Sequence, residues 1–179
     1  PQVAIVQLHF PAESTYLIES KSLKLYFNSL NFKRFNNEEE VITLLERDLS
    51  VAAAAPVKAI LIPVNKVNQT QLLQGICLDE LDIEVTDFRL NPQLLKNNTD
   101  AAMITETVYS HLLRSNCPVT NQPDWGSVSI TYTGQTIHHE SLLRYLISFR
   151  EHNDFHEQCV ERIFCDILRL CQPEKLTIQ

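Results

Sequence analysis

Two helical apolar stripes recur in this chain at an offset of 119 residues, and few architectures accommodate a repeat of that kind. Leu23, Tyr26, Phe27 and Leu30 fall at i, i+3, i+4 and i+7, the spacing of one helix face, and Leu142, Tyr145, Leu146 and Phe149 repeat them. A second stripe, Val41, Leu44, Leu45 and Leu49, returns as Val160, Ile163, Phe164 and Leu168. Identities accompany the periodicity: Ser22-Leu23 matches Ser141-Leu142, Tyr26 matches Tyr145, and Ser29 matches Ser148. Self-similarity at a fixed offset reads as a duplication, in which each amphipathic helix pair needs an apolar surface to cover.

Strands supply that surface. From Val3 to Phe10 the set Ala4, Val6, Leu8 and Phe10 alternates with Val3, Ile5, Gln7 and His9, and Thr15 to Glu19 is expected as a second strand, forming a hairpin across Pro11. Ser20 is expected to cap the first helix, and Asn36 or Asn37 the second, whose first turn carries Glu38, Glu39 and Glu40. Strands are expected again at Val57 to Ile62 and Gln71 to Cys77, giving a strand-strand-helix-helix-strand-strand module. In the second half Thr105 to Leu113, Val128 to Thr133 and Lys175 to Ile178 are expected as strands, and a fourth is absent. Residues Leu78 to Ala101, acidic, then Asn-rich, with Pro92, read as the connection, so the domains are expected at 1–95 and 96–179. The fold class is α+β: two antiparallel sheets, each with two helices on one face, the second sheet truncated at its C-terminus.

Composition removes several functions. The 179 residues are 44% hydrophobic and 21% charged, enough for a real core, and the net charge of −7 opposes a nucleic-acid surface, which needs clustered Lys and Arg. Small molecules are the expected partners. Five cysteines without C-x-x-C, three of them six apart on a helical stretch (Cys159, Cys165, Cys171), fit neither a disulfide framework nor a zinc ribbon. With three glycines there is no G-x-G-x-x-G loop, so a Rossmann cofactor site is excluded. No apolar run approaches eighteen residues and no signal peptide is present, so no membrane partner and a cytoplasmic location are expected. The chain begins at Pro1 without a methionine and reads as a fragment or a trimmed chain.

The chemistry concentrates between Ser115 and Gly126, Ser-Asn-Cys-Pro-Val-Thr-Asn-Gln-Pro-Asp-Trp-Gly. Pro118, Pro123 and Gly126 disfavour helix and central strand, which puts Cys117 at a strand edge within reach of a ligand, as a candidate nucleophile. The competing reading of Cys117 is a small buried hydrophobe. A thiol of pKa about 8.5 is mostly protonated at neutral pH and needs a base. Asp124 is the candidate, and it acts only as a proton partner, since a fixed anion beside sulfur disfavours the thiolate. By spacing alone Asp124 reads equally as an Asx-turn. Asp154-Phe155-His156-Glu157 reads as a helix start with Asp154 as N-cap and Glu157 at N3. His152 and His156, four apart, lack the further ligand of a zincin, so no metal is expected.

Three segments together resemble one family. Glu19-Ser-Lys-Ser-Leu-Lys-Leu-Tyr26 resembles the signature octapeptide of the NADPH-dependent 7-cyano-7-deazaguanine reductases, the nitrile reductases of queuosine biosynthesis, a tRNA modification. The Ser115–Gly126 stretch resembles their nucleophile loop, and Ser148-Phe149-Arg150 through Phe155-His156-Glu157-Gln158-Cys159 resembles their substrate segment. The order matches the two-module form. The resemblance implies a tunnelling fold, in which antiparallel sheets carrying helix pairs assemble into a barrel, hence a homo-oligomer, dimer or higher. It implies a covalent thioimide on Cys117, proton transfer by Asp124 and His156, a guanine-like substrate edge held by Glu157, and Phe155 stacked on the ring. Ile18, Glu19 and Ser20 are implied to line the substrate pocket from the first module, and Ser20 and Lys21 to contact NADPH. The implied substrate is a small-molecule deazapurine, with no direct nucleic-acid contact. Longer members of the family continue beyond the position of Gln179 into a basic, Gly-containing turn that resembles part of the NADPH site. Two alternatives stay open: a cysteine-dependent nitrile or amidine hydrolase, and a non-catalytic purine- or pterin-binding module of the same fold.

Overall fold

The computed structural model describes residues 3–63, 72–98 and 102–179. They fall into two compact units, 1–71 and 72–179, each mixed α and β.

In the first unit β1 (Ala4–His9) pairs antiparallel with β2 (Lys58–Pro63), and α1 (Ser20–Leu30) and α2 (Glu38–Ala53) come between them in sequence. The expected hairpin does not form: Thr15 to Glu19 is not a strand, and β1 takes β2 as its partner. The local hydrogen bonds explain the difference. Ser14 turns back on Pro11, its N–H and hydroxyl both donating to that carbonyl at 3.1 and 2.7 Å, and the Tyr16 N–H donates to Ala53 O at the end of α2. Leu45, Leu49 and Ala53 of α2 are buried with Val57 and Ala59, and Leu23, Tyr26, Phe27 and Leu30 of α1 pack against them, as the stripe requires. Asn37 caps α2 through the Glu40 N–H at 2.9 Å.

In the second unit the strand order is β3-β4-β5-β6, with β3 (Ile76–Cys77), β4 (Met103–Asn116), β5 (Pro123–Gln135) and β6 (Lys175–Ile178). Gln71 lies outside the described residues. The rest of the expected Gln71–Cys77 strand shortens to β3, which runs parallel to β4 here instead of completing the first unit's sheet. Gly75, at φ +116°, makes the entry to β3 possible, because a Cβ there would stand 2.2 Å from Thr107 O.

β4 and β5 form a long antiparallel hairpin with an irregularity at Ser110 to Leu113, and β6 pairs with β5. α3 (His139–Ile147) and α4 (His156–Cys171) belong to the same core: Leu142, Tyr145, Leu146 and Phe149 are buried with Val108, Val128, Ile130 and Tyr132. Burying one such large apolar side chain contributes about 1.5–3 kcal/mol. The second stripe needs correction: α4 buries Cys159, Ile163, Ile167 and Cys171, whereas Phe164 and Leu168 are exposed. The two cysteines count as apolar here and shift the buried face. Nor do residues 78–98 behave as a bare connection. Leu78 and Leu95 are buried in the second unit's core, and Leu81, Ile83, Val85, Phe88, Leu90 and Leu94 pack on it. No helix among the described residues is long and apolar enough to cross a membrane.

Candidate active site

Cys117 follows the last residue of β4 and opens the six-residue turn to β5. Its N–H donates to Gln122 O (2.9 Å) and its carbonyl accepts from Asn121 N (2.8 Å), with Asn121 left-handed at φ 54°. Pro123 is the first residue of β5, and the strand still forms because here it pairs with β4 alone; hydrogen bonding toward β6 begins at Ser129. Asp124 stands opposite Ser115 in the ladder, its side chain 65% exposed.

The segment before α4 is bound to the same end of the sheet. Asn116 donates its N–H to His152 O at 2.8 Å and accepts from Asp154 N at 3.1 Å, while its side chain donates to Arg150 O at 3.2 Å. Asn153 donates to Asn121 Oδ1 at 2.7 Å, tying this segment to the turn itself. α4 then starts with Phe155 as N-cap and His156 as its first helical residue, so the expected Asp154 cap and Glu157 at N3 are each displaced by one position. The cause is local: Asp154 spends its carboxylate on the Phe155 N–H (3.1 Å) and on His152 (3.2 Å).

His156 reaches Asp124. Its Nε2 lies 3.1 Å from the Asp124 backbone oxygen and 3.8 Å from the carboxylate. A carbonyl only accepts, so Nε2 carries the proton and, in the neutral ring, Nδ1 is left as the acceptor. Gly126 permits the approach: a Cβ there would stand 3.1 Å from Cε1 and 3.3 Å from Nδ1 of the ring. Cys117, Asp124 and His156 are thus gathered at one end of the second sheet. Glu157, in the first turn of α4, is exposed, and Phe155 is half-buried.

Two of the other thiols are poorly placed for chemistry. Burial pushes Cys159 up and Cys171 up to about 11, both disfavouring the reactive thiolate, and Cys165 is exposed on α4. His152 is paired with Asp154, and the described residues hold no cluster of three or more metal-ligating side chains.

The remaining candidates belong to the first unit. Ile18 packs on its core. Glu19, expected as a neighbour of the cap, is itself the cap: its carboxylate accepts from Lys21 N at 2.8 Å and Ser22 N at 2.7 Å, bonds that hold its pKa below the ordinary value. Ser20 is therefore the first helical residue rather than the cap. A surface depression of about 550 Å³ in this unit, lined by Phe35, Asn37, Thr43 and Arg47 among others, includes none of the candidate residues.

Comparison with known proteins places the chain. Residues 1–61 match the model described as nitrile reductase, 7-cyano-7-deazaguanine-reductase N-terminal region, and residues 123–179 match the QueF-like protein model. Over 99% of its length the chain is 53% identical to the NADPH-dependent 7-cyano-7-deazaguanine reductase of Hydrogenovibrio crunogenus and 51% identical to that of Legionella pneumophila. The chain belongs to the 7-cyano-7-deazaguanine reductase family. It spans 64% and 63% of the length of those two reductases. Of the candidate residues, Ile18 to Lys21 fall inside the reductase N-terminal match, and Asp124 and Phe155 to Glu157 inside the second. Cys117 lies between the two matched ranges, within the region aligned to both reductases.

Sequence reasoning missed the parts that hold this site together: Asn116, the Asn121–Asn153 contact, and the vacant Cβ position of Gly126. The asparagines beside Cys117 and in the substrate segment were visible, but an asparagine's partner more than thirty residues away is not.

Proposed function

We propose that the protein reduces the nitrile of 7-cyano-7-deazaguanine to the primary amine of 7-aminomethyl-7-deazaguanine with NADPH, in queuosine biosynthesis. The observation that carries this reading is the convergence of Cys117, Asp124 and His156 at one sheet end, in a chain half identical to two reductases of that name.

In this reading the Cys117 sulfur adds to the nitrile carbon. One C–N π bond opens, the S–C bond forms, the thiol proton passes to Asp124 or His156, and a proton is delivered to nitrogen, giving a thioimide. Asp124, whose carboxylate is exposed beside the His156 Nε2–H, accepts and returns the proton. Two molecules of NADPH, bound in turn, would each supply one hydride, and with two protons these would take the nitrile carbon to the amine and release the thiol. Glu157 accepts two parallel N–H bonds from the guanine-like edge, and Phe155 stacks on the ring. In the first unit Ile18, Glu19 and Ser20 are assigned to the substrate, and Ser20 and Lys21 to the cofactor. Because the Lys21 and Ser22 amides already donate to Glu19, those contacts fall to the Ser20 hydroxyl and the Lys21 side chain rather than to these amides of the helix start.

The duplication supports two tunnelling-fold modules that assemble with further copies into a barrel. The Tyr26 hydroxyl donates to Asp48 at 2.9 Å and the Tyr145 hydroxyl to Asp166 at 2.9 Å, and Ser29 and Ser148 each donate to the carbonyl of their tyrosine at 2.6 Å. The reaction belongs to a cytoplasmic enzyme acting on a free base, without nucleic-acid contact.

The test mixes the full-length protein, the nitrile and NADPH and follows nicotinamide absorbance. Reduction consumes cofactor and yields the amine. A carboxylic acid product without cofactor loss would make the protein a hydrolase, and binding without either product would leave a non-catalytic module.

A further inference from the structure

The surroundings of Trp125 collect positive charge without an ion pair among the described residues. Trp125 is 56% exposed, and Arg114 is its partner across the β4–β5 ladder. The guanidinium carbon of Arg114 lies 5.9 Å from the centre of the indole, and that of Arg150 lies 5.8 Å from it. Arg150 is also 5.4 Å from the ring of Phe88, so two aromatic side chains hold it. Each contact is favourable, and more so when desolvated, yet two like charges drawn to one ring repel each other.

Among the described residues neither guanidinium meets a carboxylate. Arg114 donates to Asn116 Oδ1 at 3.2 Å, an uncharged acceptor, and Arg150 Nε is buried with no acceptor. Neither arginine takes part in an ion pair among the described residues, although the chain carries 22 acidic side chains against 15 Lys and Arg. In so acidic a chain, two neighbouring arginines left without a carboxylate mark a place built for a negative charge from outside. The position is adjacent to the chemistry, because Trp125 follows Asp124, and Asn116, which accepts from Arg114, precedes Cys117.

We propose that Arg114 and Arg150, on either contact of Trp125, form an anion subsite for a phosphate group of the nicotinamide dinucleotide. A planar fork of donors, weakly hydrated and set against aromatic surface, matches phosphate oxygens in pairs, which an ammonium does not. The identity of the ligand rests on the reductase reading above; the anion subsite rests on the arginine geometry alone.

Trp125 is the sole tryptophan of these 179 residues and reports on its own surroundings, with Trp125→Phe as the control in the full-length protein. Its fluorescence is titrated with inorganic phosphate, inorganic pyrophosphate, adenosine 2′-monophosphate and NADP⁺. The subsite predicts a saturable change that weakens as salt is raised. Arg150→Gln should raise the pyrophosphate midpoint about tenfold, the worth of one hydrogen bond to a charged group, and Arg114→Gln several-fold. Arg150→Lys should recover only part of the loss. A stronger response to adenosine 2′-monophosphate than to pyrophosphate assigns the subsite to the 2′-phosphate, the reverse order assigns it to the diphosphate bridge, and a response confined to inorganic phosphate overturns the dinucleotide assignment. If Arg150→Gln does not fold by circular dichroism, Arg114→Gln carries the same test.

Midpoints unchanged within threefold in both glutamine variants, for every probe, would overturn the subsite. Mass spectrometry of the nitrile adduct on Cys117 is run in parallel. An adduct with arginine-independent phosphate binding sinks the subsite alone, and arginine-dependent phosphate binding without adduct or cofactor oxidation sinks the reductase reading alone.

Discussion

The imidazole of His156 rests against Gly126 so closely that a Cβ on that glycine would stand 3.1 Å from Cε1 and 3.3 Å from Nδ1. Two elements far apart in sequence, the start of α4 and the second strand of the hairpin, therefore meet where one of them has no side chain. The bond from His156 Nε2 to the Asp124 carbonyl depends on that contact.

Gly126→Ala should displace the ring by a few tenths of an ångström, because contacts at this distance are tighter than ordinary packing. Turnover should fall about tenfold while substrate KM changes less than threefold, since on the proposed mechanism positioning of a proton-transfer group is lost and the residues assigned to the ring are not touched. Steady-state kinetics with the nitrile substrate checks it; an unchanged kcat would show that His156 needs no such placement.

Cys117→Ala should abolish turnover and leave nitrile binding within about tenfold, because in the proposed mechanism sulfur acts on the reacting carbon while other residues hold the ring. In the unmutated protein, incubation with the nitrile alone should add one substrate mass at Cys117, reversibly. Asp124→Asn should slow that addition by about 10² or more, the loss expected for an acid-base group. An adduct on Cys165 instead, read by native mass spectrometry, would overturn the assignment of the nucleophile.

Asn116→Ala removes a side-chain donor from Arg150 O and an acceptor from Arg114, and leaves the backbone bonds to His152 and Asp154 in place. Stability should fall by about 1–2 kcal/mol, the cost of lost hydrogen bonds and one half-buried carbonyl left unpaired. The expected kinetic signature is a lower kcat at nearly constant KM. Denaturant melts and kinetics on the same sample check both parts.

Alkaline stability follows from Cys171. Burial lifts its folded pKa from 9.0 to about 11, so the folded state keeps a proton that the unfolded thiol gives up. The contribution is complete below about pH 9 and is lost as pH rises toward 11, amounting to about 2–3 kcal/mol by linkage. Tyr132 and Tyr145, both raised chiefly by burial, add to the same slope once unfolded tyrosine begins to ionise, near pH 10. Cys171→Ala should flatten the slope between about pH 8.5 and 10 while lowering stability at neutral pH. Urea melts across that range read it, and an unaltered slope would remove Cys171 from the account.

Tyr145→Phe should destabilise the second unit by about 1–3 kcal/mol, because Asp166, buried, loses the hydroxyl at 2.9 Å and keeps only Arg169 at 2.6 Å. Tyr26→Phe, whose partner Asp48 is bonded to Arg47 and more exposed, should cost less. Thermal melts of the pair rank them.

Periodicity along the chain determined the helices. The α1 stripe and its repeat in α3 pack where the spacing requires, since a helix face is a local property of residues three and four apart. β6 was legible to the residue because strand alternation is equally local, as was the turn that presents Cys117, set by Pro118 and Pro123. The motifs around Cys117 and His156 also named the candidate chemistry. Tertiary structure alone decided who pairs with whom. It gave β1 to β2 rather than to Thr15–Glu19, moved Ile76–Cys77 onto β4, and turned α4 to bury Cys159 and Cys171 instead of Phe164 and Leu168. It also made Glu19 a cap, and brought His156 to Asp124 through Asn116 and the bare Cα of Gly126. These outcomes compare one long-range partner with another, and a sequence window contains neither the competing partner nor the space that a missing side chain leaves open.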